Sequence, residues 1–268
     1  MTEGRNLNTY NKVWAEQAER SAAQEQLVSG AVLSARGGTL QVGEEVLPGN
    51  QACVIVLDSV FENTYYEGKF DPDNPMPPTC YAFGRGVDGQ EEMAPHESMQ
   101  SDLSYFKPQH DSCKGCPKNE WGSAYQGRGK ACQNRRRLAL IPAGYYQAKR
   151  GSRDFDLQIF DDPKHFQTAD IVMAKLPVMS VKNWSKYVNQ IATNFHRPPH
   201  GVITRISLVP DTQSQFRFEF ELIEELPDEL AQVIMDRHDA AVKQAFQGYK
   251  PPQERAPKAA GSRNFRRT

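Results

Sequence analysis

The run Ala52–Phe61, ACVIVLDSVF, restricts the fold of this chain more than any other segment. It is apolar almost throughout and rich in β-branched residues, but shorter than an ordinary buried helix. Those properties describe a strand covered on both faces, and therefore a central one. A central strand needs neighbours, and the sequence supplies candidates. Ala31–Arg36 and Thr39–Val42 flank a Gly37-Gly38 turn, and Thr79–Phe83, Leu138–Pro142, Phe155–Phe160 and Ala169–Ala174 follow. Phe216–Leu222, FRFEFEL, alternates with a period of two, which puts Phe216, Phe218 and Phe220 on one face. With Val202–Val209 it reads as a hairpin.

Helical patterns lie at the margins. Leu7–Val28 carries a thin apolar stripe suited to a peripheral arm. Ser180 reads as the N-cap of a helix whose Val181, Trp184, Val188, Ile191 and Phe195 share a face, ended by Arg197-Pro-Pro-His-Gly201. Pro227 at a first helical position opens a last helix reaching about Phe246. No segment repeats at a fixed period. The expected fold is mainly β with flanking helices (α+β). An arm over 1–30 precedes an OB-like β domain over 31–247, with a zinc-binding insertion at about 80–137 and the C-terminal helix at 227–246. A basic disordered tail over 248–268 follows. Many short strands around one long one favour a small barrel, although a sandwich has similar spacing.

Charge is distributed unevenly. The formal net charge is −1. Gly38–Asp102 holds twelve acids and two bases, whereas Cys113–Arg137 holds seven bases and one acid. The chain after Tyr249 adds six bases and one acid. Concentrated basic regions within a neutral total suit a polyanionic partner, the bland alternative being solvated faces. No apolar run is long enough to span a bilayer, and the N-terminus lacks a signal-peptide layout, so a cytoplasmic location is expected.

In that setting paired cysteines are metal ligands or redox centres more often than disulfides. Cys113 and Cys116 stand two residues apart with Gly115 between them and Pro117 after them, as in a zinc knuckle. Cys132 and Cys80 complete a four-thiol set, with His96 or His110 as substitutes for one cysteine. Four thiolates leave no open coordination position, which favours a structural ion, zinc, over a catalytic one. An iron–sulfur cluster takes the same ligands. Cys53, inside the apolar run, reads as a small core residue. An insertion without an apolar core would draw its order from the metal.

The same block carries Trp121, Tyr125, Arg128, Lys130, Arg135, Arg136 and Arg137. Cations interleaved with aromatic rings suit single-stranded nucleic acid, where phosphates meet charge and bases stack on rings. Tyr145 joins this set, and Tyr65, Tyr66, Tyr81 and Tyr146 are further candidates; ordinary sheet packing explains tyrosines equally well.

The pattern Cys113-x2-Cys116-Pro-x-Asn-x-Trp121-Gly-Ser-Ala, then Gly127-x-Gly-Lys130-Ala-Cys132-x2-Arg135-Arg-Arg-Leu138, with Cys80 ahead of it, resembles small phage-encoded single-stranded DNA-binding proteins in which an OB-like barrel carries a zinc-binding insertion. The resemblance covers mainly Cys80–Leu138, about a fifth of the chain. It implies single-strand coating in DNA replication or recombination, in a host cytoplasm if the chain is phage-encoded, with replication or recombination proteins as partners. One departure concerns the tail. Many such proteins end in an acidic, partner-recruiting tail, whereas Arg255, Lys258, Arg263, Arg266 and Arg267 make this one basic and suit phosphate contacts.

No nucleophile–base arrangement, carboxylate pair or phosphate loop has convincing spacing, so a non-enzymatic role is expected. Two alternatives remain. One is a zinc-bearing regulator that binds duplex DNA or a polymerase. The other is an iron–sulfur nuclease using Asp154, Asp156 or Asp161.

Overall fold

A computed structural model describes residues 32–68, 76–85, 93–125, 127–212 and 214–252, and among these it has ten strands and three α-helices. The expected arm over 1–30 and most of the tail lie outside those residues. Strand β4 (Gln51–Tyr65) is the centre of the sheet, as the ACVIVLDSVF run predicts, and eleven of its fifteen residues, between Ala52 and Thr64, are buried. It pairs antiparallel with β6 (Gln133–Ala148) along one edge. On its other edge it pairs first with β9 (Val202–Asp211) and then with β5 (Cys80–Gly84). β6 divides its outer edge in the same way, between β8 (Val172–Leu176) and β7 (Phe155–Ile159). Pro142, with no N–H to offer a ladder, sits at the gap between those two partners.

β10 (Gln215–Glu225) closes a hairpin on β9. β1 (Val32–Arg36) joins β8 in parallel and continues into β2 (Thr39–Val42) and β3 (Glu45–Val46). Every other pairing is antiparallel. Register shifts in β4 at Cys53/Val54 and Val56/Asp58 add twist and bend the strand. The sheet accordingly curls round one interior that takes Leu33, Leu40, Val54, Leu140, Ala174, Ile206 and Phe218 from seven strands. Its two ends meet side to side. A Cβ on Gly38, in the β1–β2 turn at φ +82°, would lie 2.5 Å from the Phe216 ring. Among the described residues no ladder joins β2 or β3 to β10, so the sheet stays open where a closed barrel was expected.

The helices cover what the sheet leaves bare. α2 (Val178–Phe195) seals the mouth of the curl with Trp184, Tyr187 and Ile191. Its N-cap is Pro177, not Ser180 as the sequence suggests. Ser180 instead accepts the Phe218 backbone N–H at 3.0 Å, while Asn183 donates to the Phe218 carbonyl at 2.9 Å. The helix thus occupies the outer edge of β10, where unpaired backbone would otherwise face water. α3 (Asp228–Ala245), for which Pro227 is the N-cap, and α1 (Pro163–Thr168) cover the opposite face of β4, β6 and β9 over Ile55, Leu57, Ile141 and Ile203. Cys53 is buried in that layer, as expected of a core thiol. No helix among the described residues is long and apolar enough to cross a membrane.

The insertion departs from expectation in having a core of its own. Tyr81 and Phe83 of β5 pack with Met99 and Phe106, and Met93 is also buried. The chain after α3 enters that cluster. Arg137, only 5% exposed, donates from Nε and Nη2 to Glu62 Oε1, and from Nη1 to the carbonyls of Ala245 and Gln247. Tyr249 donates to the same Glu62 oxygen at 2.7 Å, and Lys175 donates to the Tyr249 hydroxyl at 2.6 Å. Burial pushes the Glu62 carboxyl up, but Arg137, Lys175 and the Tyr249 hydrogen bond together hold it below its ordinary value. Tyr249 therefore belongs to the body of the protein and not to a tail that starts at 248.

Removing one member of a buried ion pair leaves the other charge stranded. Arg137→Ala is expected to lower unfolding free energy by about 3–5 kcal/mol in a denaturant titration, and to free the chain after Ala245 to early proteolysis. Acid acts through different groups. His200, before β9, lies 4.9 Å from His238 of α3, ring to ring. Burial, and then His238, lower its pKa, against a smaller opposing pull from Asp58. Burial also lowers His96, against Glu97. The unfolded chain takes up protons at these imidazoles near their ordinary 6.5, while the folded chain resists. Stability is thus expected to fall as pH drops below about 6.5, and His200→Gln should flatten that fall in melting curves recorded from pH 7.5 to 5.5.

Candidate functional site

The far ends of β4, β5 and β6 build the site, and strand alternation sorts its residues onto two faces. Cys80 opens β5 opposite Tyr65, and Ala82 stands opposite Asn63. Asn63 is in turn opposite Asn134 of β6. This face carries the thiols. Cys132 directly precedes β6, and its N–H donates to the Lys118 carbonyl at 2.7 Å. The Cys113 N–H donates to Met93 O, and the Cys116 carbonyl accepts the Asn119 N–H at the turn Pro117–Asn119. Gly115, at φ +74°, supplies the left-handed residue that this knuckle requires.

Cys80, Cys113, Cys116 and Cys132 line one cavity of about 20 Å³, room for a single water or ion. The four-cysteine set read from the sequence is therefore brought to one place. His110 also lines the cavity, with Nδ1 turned to the Ser112 backbone. His96 does not line it. Its ring stacks on Tyr81, and its Nδ1 faces Ser98. Burial pushes the Cys132 thiol up to about 12, with Cys113, Cys80 and Cys116 adding to the effect. It pushes Cys80 up to about 11, a backbone hydrogen bond from Gln109 pulling the other way. Among the described residues no group of three His, Cys, Asp or Glu side chains is drawn together closely enough to hold a metal as it stands. The thiols share a cavity without forming a coordination sphere.

A groove of about 930 Å³ adjoins this cavity. Tyr65, Tyr66, Tyr105 and Tyr125 supply its rings, and Lys118, Lys130 and Arg135 its cations. Tyr65 and Lys118 line both spaces, and the Lys118 ammonium lies 5.2 Å from the centre of the Tyr65 ring. Glu67, paired with Lys107 at 2.7 Å, adds a carboxylate to the groove. Trp121 is 78% exposed and Tyr125 89%, and Lys130 stands 5.9 Å over the Trp121 ring. Arg128 is exposed on the same loop.

The three consecutive arginines do not form one patch. Arg135 lines the groove, but Arg136 points to the other face of β6, its guanidinium 3.5 Å from the Phe61 ring centre. Burial lowers Arg136 to about 10. Arg137, expected to meet phosphate, is spent on Glu62 and two carbonyls inside the protein. Tyr145 is 51% exposed but lies ten residues farther along β6, roughly 30 Å away at strand rise, beside Phe160. It lines a separate, mainly apolar cavity of about 390 Å³. Asp154 and Asp156 lie on the β6–β7 hairpin, bonded to Ser152 and Lys149, apart from the thiols. Tyr105 was missed in the sequence, since a tyrosine in a polar loop carries no pattern, and Lys118 was counted among the bases of the block without being singled out. No protein-family model matches the chain, and no curated protein or solved structure does either.

Exposed rings outside the core contribute little to folding. Trp121→Ala is expected to leave the melting transition within about 0.5 kcal/mol of wild type, whereas Trp184→Ala, in the core, is expected to cost about 3–5 kcal/mol.

Proposed function

We propose that this protein is a non-enzymatic, sequence-tolerant binder of single-stranded DNA that works in replication or recombination. A zinc ion on Cys80, Cys113, Cys116 and Cys132 would set the wall of its binding groove. The observation that carries this reading is the groove itself, which places four tyrosines and three cations against the thiol cavity. Lys118, Lys130 and Arg135 face phosphates, the tyrosines and Trp121 stack on bases, and Arg128 extends the basic rim. Four sulfur donors in a water-sized space fit a tetrahedral zinc ion once the thiols lose their protons to it. Since the insertion has its own apolar cluster, zinc is assigned the narrower task of fixing the knuckle and Lys118 beside Tyr65. In this reading the curled sheet is an OB-like barrel left open between β2–β3 and β10, and the basic tail adds phosphate contacts.

Fluorescence anisotropy of the zinc-loaded protein tests the proposal, with labelled single strands and duplex at two or more salt concentrations. Tight, salt-sensitive binding to single strands of differing sequence is expected. Lys130→Ala and Arg135→Ala should each flatten the logarithmic salt slope by about 0.7, the value for one phosphate contact on a single strand. Trp121→Ala should weaken binding by roughly 1–3 kcal/mol if it stacks on a base. Chelator treatment should release one zinc per chain and weaken binding. A preference for duplex, or no binding by the zinc-loaded protein, would overturn the reading.

A further inference from the structure

Three asparagines far apart in sequence, Asn63, Asn119 and Asn134, meet between the thiol cavity and the groove. Asn134 Nδ2 donates to Asn63 Oδ1 at 2.6 Å and to Asn119 Oδ1 at 3.0 Å. Asn119 Nδ2 donates to the Cys113 carbonyl at 3.0 Å, and Lys130 Nζ approaches Asn119 Oδ1 at 3.4 Å. Asn63 and Asn119 are both buried, and both line the thiol cavity.

The direction of this chain of amides is fixed by groups that cannot reverse. An ammonium only donates and a carbonyl only accepts, so Asn119 must turn its oxygen to Lys130 and its nitrogen to Cys113 O. Asn134 must then present its nitrogen to that oxygen, and the same nitrogen reaches Asn63. Asn63 consequently accepts through its oxygen, and its own Nδ2 is directed elsewhere. That nitrogen is buried with no acceptor at hydrogen-bonding geometry. Asn63 lines the small cavity that it shares with Cys113 and the other three thiols. A buried N–H without an acceptor is unfavourable. A sulfur that becomes a thiolate supplies the acceptor.

We propose that Asn63 is an outer-shell residue of the thiol site, whose amide N–H donates to the Cys113 sulfur once a metal is bound, held in that orientation by Asn134, Asn119 and Lys130. The assignment rests on the zinc reading above and extends it. Asn63 is a positioning residue that orients a ligand and shares out its charge, as outer-shell donors do at metal–thiolate sites. The same network links the ligand knuckle to a cation of the groove.

Cobalt(II), which reports its thiolate ligands by charge-transfer absorption, is the probe. Wild-type protein, Asn63→Leu and Asn63→Asp would be titrated with cobalt(II) and with zinc(II) against a chromophoric chelator, with folding followed by circular dichroism. Asn63→Leu removes both bonds of the side chain. Asn63→Asp retains the oxygen that Asn134 needs and lacks the N–H, so it serves if the leucine variant does not fold. Both are expected to bind metal about 10- to 100-fold more weakly, and to shift the cobalt–thiolate band to longer wavelength as the sulfur loses its hydrogen bond. Affinities within twofold of wild type with an unmoved band would overturn the role of Asn63 while leaving the metal site standing. Wild-type protein that binds neither ion would overturn the metal reading itself.

Discussion

The buried pair of Glu62 and Arg137 is the constraint on which this architecture turns. Glu62 is fully buried, and a carboxylate in that position is tolerable only if it is neutralised and hydrogen-bonded. Arg137 meets that need with two N–H groups and uses its third nitrogen to hold the carbonyls of Ala245 and Gln247. One ion pair therefore clamps β4 to β6 and draws the chain after α3 beneath the sheet. Tyr249 and Lys175 extend the clamp to β8. The consequence for the site is geometric. With Glu62 facing the clamp, strand alternation turns Asn63 to the thiols, and with Arg137 facing it, Arg135 lies on the clamp side at the groove and Asn134 on the thiol side.

That alternation also explains what the sequence revealed and what it concealed. FRFEFEL announced its strand by alternating with a period of two, and ACVIVLDSVF by its continuous run of apolar, β-branched residues. The cysteines were legible as a set because thiols are few and their spacing is chemical. Arg135-Arg136-Arg137 was misleading for the opposite reason. Read as part of a loop, the triplet is a charged patch, but it lies on β6, where a pleat sends neighbours to opposite faces and buries one of them. Nothing local marks that strand, because its first residues are polar and its apolar run starts only at Leu138. Ser180 looked like a cap because serine usually serves there, yet the Phe218 N–H claimed its hydroxyl across 38 positions.

Longer-range polar contacts were out of reach for the same physical reason. Asn63 and Asn134 are 71 residues apart and meet only because the β4–β6 register sets them opposite. Tyr249 stands 187 residues from the carboxylate it bonds. Tyrosine in a Gly- and Pro-bordered stretch carries no sign of burial. The opening of the curled sheet is equally a matter of register and twist, which spacing does not encode. What composition did convey was the coexistence of soft ligands and positive charge in one segment. The fold gives that coexistence a shape, since Tyr65 and Lys118 are at once the wall of the thiol cavity and the floor of the groove.

The cover that α2 lays over β10 has a meaning beyond the single molecule. Bare strand edges on two copies of a chain can pair and stitch one sheet into the other. Ser180 and Asn183 occupy the Phe218 backbone groups midway along that edge. That stretch of β10 is thereby closed to pairing with a strand of another molecule.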